Sequence, residues 1–123
     1  MALKKLRPIT PGTRHRVAPS FEDVTASKPE KSLVVTLKKT GGRNNDGKMT
    51  MRHIGGGHKQ KYRVIDSKRN KFDMPATVIR FEYDPYRTAN IMLVEYEDKT
   101  QSYLIAPQDI KVGTKIHSGR KKD

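Results

Sequence analysis

The chain contains no cysteine and no tryptophan. Without thiols it can build no disulfide framework, no thiolate zinc site and no cysteine nucleophile, although their absence leaves the compartment open. No apolar run approaches the roughly 18–20 residues that a membrane-spanning helix requires. The N-terminus also lacks the apolar stretch of a secretory signal, so we expect a soluble chain that is not exported. Apolar residues make up 33% and aromatics 7% of the 123 residues, enough for one modest core and not for two. Acidic residues are scarce beside basic ones: 13 Asp and Glu stand against 26 Lys and Arg, a formal net charge of +13. A chain so charged repels itself unless it meets something anionic.

The excess is unevenly spread. Residues 1–72 carry 18 basic and 5 acidic side chains, whereas residues 73–123 carry 8 of each. Between Lys38 and Lys71 there are 11 basic and 2 acidic residues, interleaved with Gly41, Gly42, Gly47 and the run Gly55, Gly56, Gly57. Such a stretch buries too little apolar surface to offset its backbone entropy, and alone it should be poorly ordered. Three parts follow: a basic, glycine-rich, largely irregular extension over residues 1–60, a β domain over 61–118, and a polar tail over 119–123 that frays unless bound.

From Lys61 onward the pattern changes. Tyr62, Val64 and Asp66 alternate with Arg63, Ile65 and Ser67, and Thr77, Ile79, Phe81 and Tyr83 alternate with Val78, Arg80 and Glu82, which predicts two strands. Ile91 to Tyr96 and Ser102 to Ala106 form a hairpin around the polar turn at Glu97 to Thr100, and Thr114 to Ser118 supplies a last strand. Pro75, Pro85 and Pro107 fall at strand edges or in connections. Five short strands separated by turn signals predict an all-β fold, a small five-stranded barrel of the oligonucleotide-binding (OB) or SH3-like kind. Leu33 to Leu37 is a further strand candidate, and Phe81 and Tyr103 are expected in the core.

Two segments carry chemistry. In Gly41 to Lys48, glycine permits close approach to a phosphate backbone, Arg43 and Lys48 can neutralise it, and Asn44 and Asn45 can hydrogen-bond to sugar or base edges. A flexible solvated loop is the plainer reading. Arg52 to Arg63 is denser: Gly55, Gly56 and Gly57 remove side-chain bulk, so main-chain amides can sit against RNA while Arg52, Lys59, Lys61 and Arg63 supply charge. Neither a Walker phosphate loop nor a dinucleotide fingerprint has its spacing here. His53 and His58 suit stacking on bases or donating to phosphate better than binding zinc, since no HExxH pattern or cysteine joins them. Carboxylate pairs such as Glu95 with Glu97 and Glu82 with Asp84 read as a solvated sheet face, and no partner nucleophile points to an enzyme. Tyr86, in the turn Asp84 to Arg87, is expected to face a partner or to lid the core.

GGRNNDGKMTMRHIGGGHKQKYR (Gly41 to Arg63), KRNK (Lys68 to Lys71), EYDPYRTANIMLV (Glu82 to Val94), YLIAP (Tyr103 to Pro107) and the closing Val112 to Gly119 together resemble the universal large-subunit ribosomal protein family L-two, in its bacterial or organellar form. The resemblance runs from about Leu6 to Gly119, with Asp46 and Tyr86 standing where the family habit is Asn. It implies an extension that threads ribosomal RNA, then a five-stranded OB-type barrel, then an SH3-like barrel that has no counterpart here. The expected role is that of a structural constituent of the large ribosomal subunit. The expected partners are large-subunit ribosomal RNA, neighbouring ribosomal proteins and a separate chain carrying the SH3-like half, as in a split protein. An organellar or reduced ribosome is favoured over a bacterial cytoplasm, with no membrane and no cofactor beyond Mg2+ bridging RNA phosphates nearby. The RNA-binding set then comprises Arg14, Arg16, Arg43, Asn44, Asn45, Lys48, Arg52, His53, the three glycines 55–57, His58, Lys59, Lys61, Arg63, Lys68, Arg69 and Arg87. A free single-stranded nucleic-acid-binding or RNA-chaperone-like barrel is the alternative.

Overall fold

A computed structural model describes residues 3–119; residues 120–123 of the expected tail lie outside the described residues. The elements are β1 (Leu3–Lys5), α1 (Pro11–Arg14), β2 (Val17–Pro19), a single 3-10 turn (Lys31–Leu33), β3 (Val34–Thr36), β4 (Lys61–Arg63), β5 (Ala76–Glu82), β6 (Ile91–Tyr96), β7 (Gln101–Ile105) and β8 (Lys115–Ile116). The fold is all-β. Its main sheet is antiparallel in the order β7-β6-β5-β8, and two-stranded pairs join β1 with β2 and β3 with β4. The chain past β4 reaches β7 through a parallel bridge at Ile65 and Tyr103, where the Asp66 amide donates to the Tyr103 carbonyl at 2.9 Å. The result is a curled half-barrel of OB type.

β6 is the middle of the sheet and is apolar on both faces. Met92, Val94 and Tyr96 pack with Ala76, Val78, Phe81 and Leu104, while Ile91 and Leu93 pack with Tyr103 against Leu33, Ile65 and Ile79. Each fully buried aliphatic side chain contributes about 1.5–3 kcal/mol. The alternation expected in β5 does not run through the strand. The register shifts between Val78 and Arg80, so that Val78 faces Val94 but Arg80 faces Leu93. This β-bulge reverses the phase of the pleat and puts Val78 and Phe81 in one cluster while Ile79 joins the other. Phe81 and Tyr103 lie in the core as their apolar character required.

Three expectations change in extent. The strand read at 61–67 is ordered as a ladder only over Lys61–Arg63, and the one read at 114–118 only over Lys115–Ile116. The Leu33–Leu37 candidate appears as β3, paired with β4 in the register Val34 with Arg63 and Thr36 with Lys61. The extension is less irregular than its composition suggests. β1 and β2 pair from Leu3 with Pro19 to Lys5 with Val17. The helical turn between them starts with Pro11, and the Thr10 amide donates to Thr13 Oγ1 at 3.1 Å.

Glu82 and Asp84, expected on a solvated face, are buried. Burial of a carboxylate is tolerated only where it is paired and hydrogen-bonded. Glu82 accepts from Arg80 Nε at 2.7 Å and from the Tyr103 hydroxyl at 2.6 Å, and Asp84 is ion-paired with Arg87. The same Tyr103 oxygen accepts from the Glu30 amide at 2.7 Å, and the Glu30 carboxylate lies 3.5 Å from Arg80 Nη2. Burial, then the bond to Glu82, pushes the Tyr103 hydroxyl up to about 12. Tyr103→Phe keeps the ring but leaves the Glu30 amide and one Glu82 oxygen without their partner, and should lower unfolding free energy by about 1–3 kcal/mol. Urea denaturation of the two proteins checks it; a loss of under a few tenths of a kcal/mol would count against this network.

Candidate nucleic-acid interface

Gly41 to Lys48, within the stretch expected to be poorly ordered alone, forms a hydrogen-bonded turn. The Thr50 and Met51 amides both donate to the Gly42 carbonyl, at 2.8 and 3.2 Å, and Arg43 bridges antiparallel to Met49. Asn44 Oδ1 accepts from the Asp46 and Lys48 amides at 3.1 and 3.0 Å, and the Gly47 amide donates to the Asn44 carbonyl at 3.1 Å. The Asn44 acceptor is therefore occupied by its own loop, an Asx-type turn, rather than turned to a partner. Gly42 has φ +72 and is buried, and a Cβ there would overlap the Met51 carbonyl oxygen. Only glycine fits both demands.

Gly55 closes against this turn: its Cβ position lies 3.6 Å from Gly41 Cα. Gly55, Gly56 and Gly57 all have positive φ, as does His53 at +60. Lys39 Nζ donates to the His58 carbonyl at 3.3 Å, and His58 Nδ1 lies 3.0 Å from the Lys59 carbonyl, tying residues 36–40 to residues 57–60. A groove of about 550 Å³ lies between those strands of chain, lined by Lys38, Lys39, Lys59, Gly57 and Gln60, with no carboxylate in its wall. Arg43, Asn45, Lys48, Arg52, His53, His58, Lys59 and Lys61 are exposed. Exposed cations beside a glycine run that is itself held on left-handed backbone suit a phosphate backbone.

The remaining predicted residues are placed differently. Arg14 and Arg16 are exposed on the β1–β2 ribbon, and among the described residues no hydrogen bond or ion pair links them to the glycine-rich turns. Arg63 is buried in β4, with Nη1 donating to the Lys61 carbonyl at 2.6 Å and no partner for Nε among the described residues. Lys68 is exposed and Arg69 half-buried in a turn where the Arg69 amide donates to Asp66 Oδ1 at 3.0 Å, with φ +47 at Arg69. Arg87 is committed on one side to Asp84. On the other it lies 5.5 Å from the Tyr62 ring centre and 3.3 Å from its hydroxyl. Tyr86 packs edge-on against Tyr62 at 5.3 Å and is 38% exposed, so it both lids that corner and faces outward. Sequence reasoning missed this Tyr62, Tyr86, Arg87 cluster as a unit, and it missed the exposed pair Phe21 and Tyr83, whose rings meet edge-on at 5.3 Å. Aromatics separated by tens of residues give no spacing signal. Among the described residues no three histidine, aspartate or glutamate side chains gather to hold a metal, and no helix is long and apolar enough to cross a membrane.

Lys71 is held away from this surface. It pairs with Asp98, donates to Thr100 Oγ1 and lies 4.6 Å from the centre of the Tyr96 ring. That contact, with hydrogen bonds from Thr100, holds the Asp98 carboxyl down to about 2 from its ordinary 3.8. A depressed value means the pair's contribution is complete above 3.8 and is lost as pH falls through about 2.

Two outcomes are expected. In Gly42→Ala the Thr50 amide should lose hydrogen-exchange protection by about tenfold or more, from strain and overlap together. Gly47→Ala, with φ +76 but open space around it, should lose less; equal loss in both would show that the overlap does not matter. In Lys71→Met, carboxyl NMR should find the Asp98 midpoint raised by about 1 pH unit, and an unmoved midpoint would remove Lys71 as its cause.

Comparison with known proteins bears on what this surface meets. The family described as Ribosomal Proteins L2, RNA binding N-terminal domain, matches residues 30–118. The chain is 64% identical over 119 residues to the large ribosomal subunit protein uL2 of Cytophaga hutchinsonii, covering 97% of this chain and 43% of that relative. It is 59% identical over 121 residues to uL2 of Akkermansia muciniphila, covering 98% and 44%. With uL2 of Parabacteroides distasonis the figures are 60% over 119 residues, 97% and 43%. The chain thus spans less than half the length of these curated relatives. All three come from bacteria, which lends nothing to the organellar preference, and all are ribosomal proteins rather than enzymes. With the family match over its OB-type half-barrel and identities near 60% along almost all of its length, the chain belongs to the ribosomal protein L2 family and carries that family's RNA-binding N-terminal domain.

Proposed function

We propose that the chain is a structural constituent of the large ribosomal subunit and binds its ribosomal RNA through the glycine-rich cationic turns of residues 41–61. The observation that carries this is the groove beside exposed Gly55, Gly56 and Gly57, whose three lysines and lack of carboxylates complement a polyanion. Phosphate neutralisation releases counterions, so affinity should fall steeply with salt. Recognition rests on RNA shape and backbone more than on base sequence, because the surface offers amides and cations rather than paired base-edge readers. Arg43, Arg52, His53, His58, Lys59 and Lys61 are the first contacts, with Lys48 and Asn45 beside them and Arg14 and Arg16 contributing from the ribbon. Mg2+ bridging neighbouring phosphates would need no protein ligand. The bacterial source of the relatives favours a ribosome of bacterial type. The SH3-like half expected from the family belongs in the same particle, on a separate polypeptide if the chain acts as one half of a split protein.

Sedimentation of a lysate through a sucrose gradient tests this. The chain should travel with the large subunit at one copy per particle, and mass spectrometry of that peak should find the SH3-like half. Gly56→Val, which forces a β-branched residue to φ +76, should reduce incorporation several-fold, whereas Lys99→Ala should leave it unchanged. Recovery only in light fractions with mixed RNA would favour the free single-stranded binder instead.

A further inference from the structure

On a chain of charge +13, one groove is acidic. Its floor is apolar: Phe81, Ala106, Ile110 and Val112 line a hollow of about 630 Å³. Its rim carries the exposed carboxylates of Glu22, Asp23 and Asp109 against the one cation Lys111. None of the three carboxylates is in an ion pair or side-chain hydrogen bond among the described residues, unlike Glu82 and Asp84.

The walls are held in place by backbone bonds. The Thr25 and Ala26 amides donate to the Phe81 carbonyl at 3.1 and 3.3 Å, and the Phe81 amide donates to Thr25 Oγ1 at 3.0 Å. Ala26 bridges parallel to Glu82. These contacts fix residues 22–26 along the end of β5. Opposite them, the Ala106 amide donates to the Asn90 carbonyl at 3.0 Å, and the Gly113 amide to the Val78 carbonyl at 2.8 Å, which anchors the two ends of the connection from β7 to β8. The groove is therefore built by three separated stretches of chain and does not depend on one loose loop.

Its chemistry excludes the polyanion that the lysine-lined groove attracts. Three carboxylates repel phosphate, and Lys111 is the one cation in the lining to set against them. An extended peptide that alternates cationic and apolar side chains satisfies both features: its apolar residues cover Val112, which is 51% exposed, and its cations meet the unpaired rim. We propose that this groove is a docking site for a basic, extended segment of a neighbouring protein chain. The inference stands on the groove's own shape and charge and does not require the RNA reading to hold.

The test uses the full chain with a fluorescein-labelled peptide of alternating arginine and leucine as the probe, followed by polarisation and by amide NMR shifts. The probe should bind, with shifts confined to residues 22–26, Asn90 and 106–112. Glu22→Lys, Asp23→Lys and Asp109→Lys combined should weaken it by about tenfold or more, while binding of a single-stranded RNA is unchanged or tighter. Because all three are exposed the fold should survive, and Val112→Ser, which removes only apolar contact, gives an independent loss. Equal binding by the charge-reversed chain, or by a glutamate and leucine peptide, would overturn the proposal. So would probe shifts at residues 41–61, RNA shifts in the groove, or self-association abolished by the same charge reversals, which would assign the groove to a second copy. Loss of RNA binding with the groove intact would instead sink only the function proposed above.

Discussion

One hydroxyl joins the two compositional halves of the chain. Tyr103, fully buried on β7, donates a hydrogen bond to Glu82 on β5 and accepts one from the amide of Glu30 in the extension. Arg80 closes the set by reaching both carboxylates. A buried carboxylate is costly unless every lone pair has a donor, so Glu82 can stay in the interior only while Tyr103 and Arg80 are where they are. The consequence reaches outward. Because Glu30 is pinned, the 3-10 turn that follows it and β3 start from a fixed point, and β3 in turn positions β4 and the glycine-rich chain between them.

That chain then solves a problem its composition sets. Of the eleven cations within Lys38 to Lys71 only Arg63 is buried, and their mutual repulsion favours an expanded state. The structure counters this with main-chain bonds instead of a core. Gly42 accepts two amides, Asn44 caps its own loop, and Gly55 backs onto Gly41. Left-handed glycines allow these turns at no steric cost, and side chains are left on the outside with their charges unspent. Ordering lost in advance is ordering that binding need not impose later.

Much of the half-barrel was legible in the sequence, and the reasons for the remainder are specific. β6 and β7 announce themselves through near-continuous apolar runs around a polar turn. The bulge in β5 has no marker, since neither glycine nor proline stands at Val78 to Arg80, and only pairing with β6 reveals it. Glu82 and Asp84 read as solvated because charge is exposed by default; their partners Tyr103 and Arg87 become visible only in three dimensions. β1 and β2 show no alternation, since their side chains are exposed or half-buried and bury no face. At the candidate interface, the glycine and cation pattern picked out residues 41–61, whose lysines and arginines are exposed. It could not distinguish Arg63, buried in β4, from the exposed Lys61, because the two share one face of the strand and only their places in the ladder differ, Arg63 opposite Val34 and Lys61 at its end opposite Thr36.

The same logic explains why charge is sorted as well as clustered. Exposed cations beside the left-handed glycine turns suit a polyanion, but a surface that is basic everywhere would bind it in any orientation. Carboxylates that are buried and paired, as at Glu82 and Asp84, cannot discourage this, whereas the unpaired Glu22, Asp23 and Asp109 can. On the proposed reading, their repulsion of phosphate would confine RNA to the glycine-rich side and leave the apolar lining beside Phe81 to a partner of opposite chemistry. Affinity and orientation would then be separate properties, the first supplied by the cations of residues 41–61 and the second by where anions are left exposed.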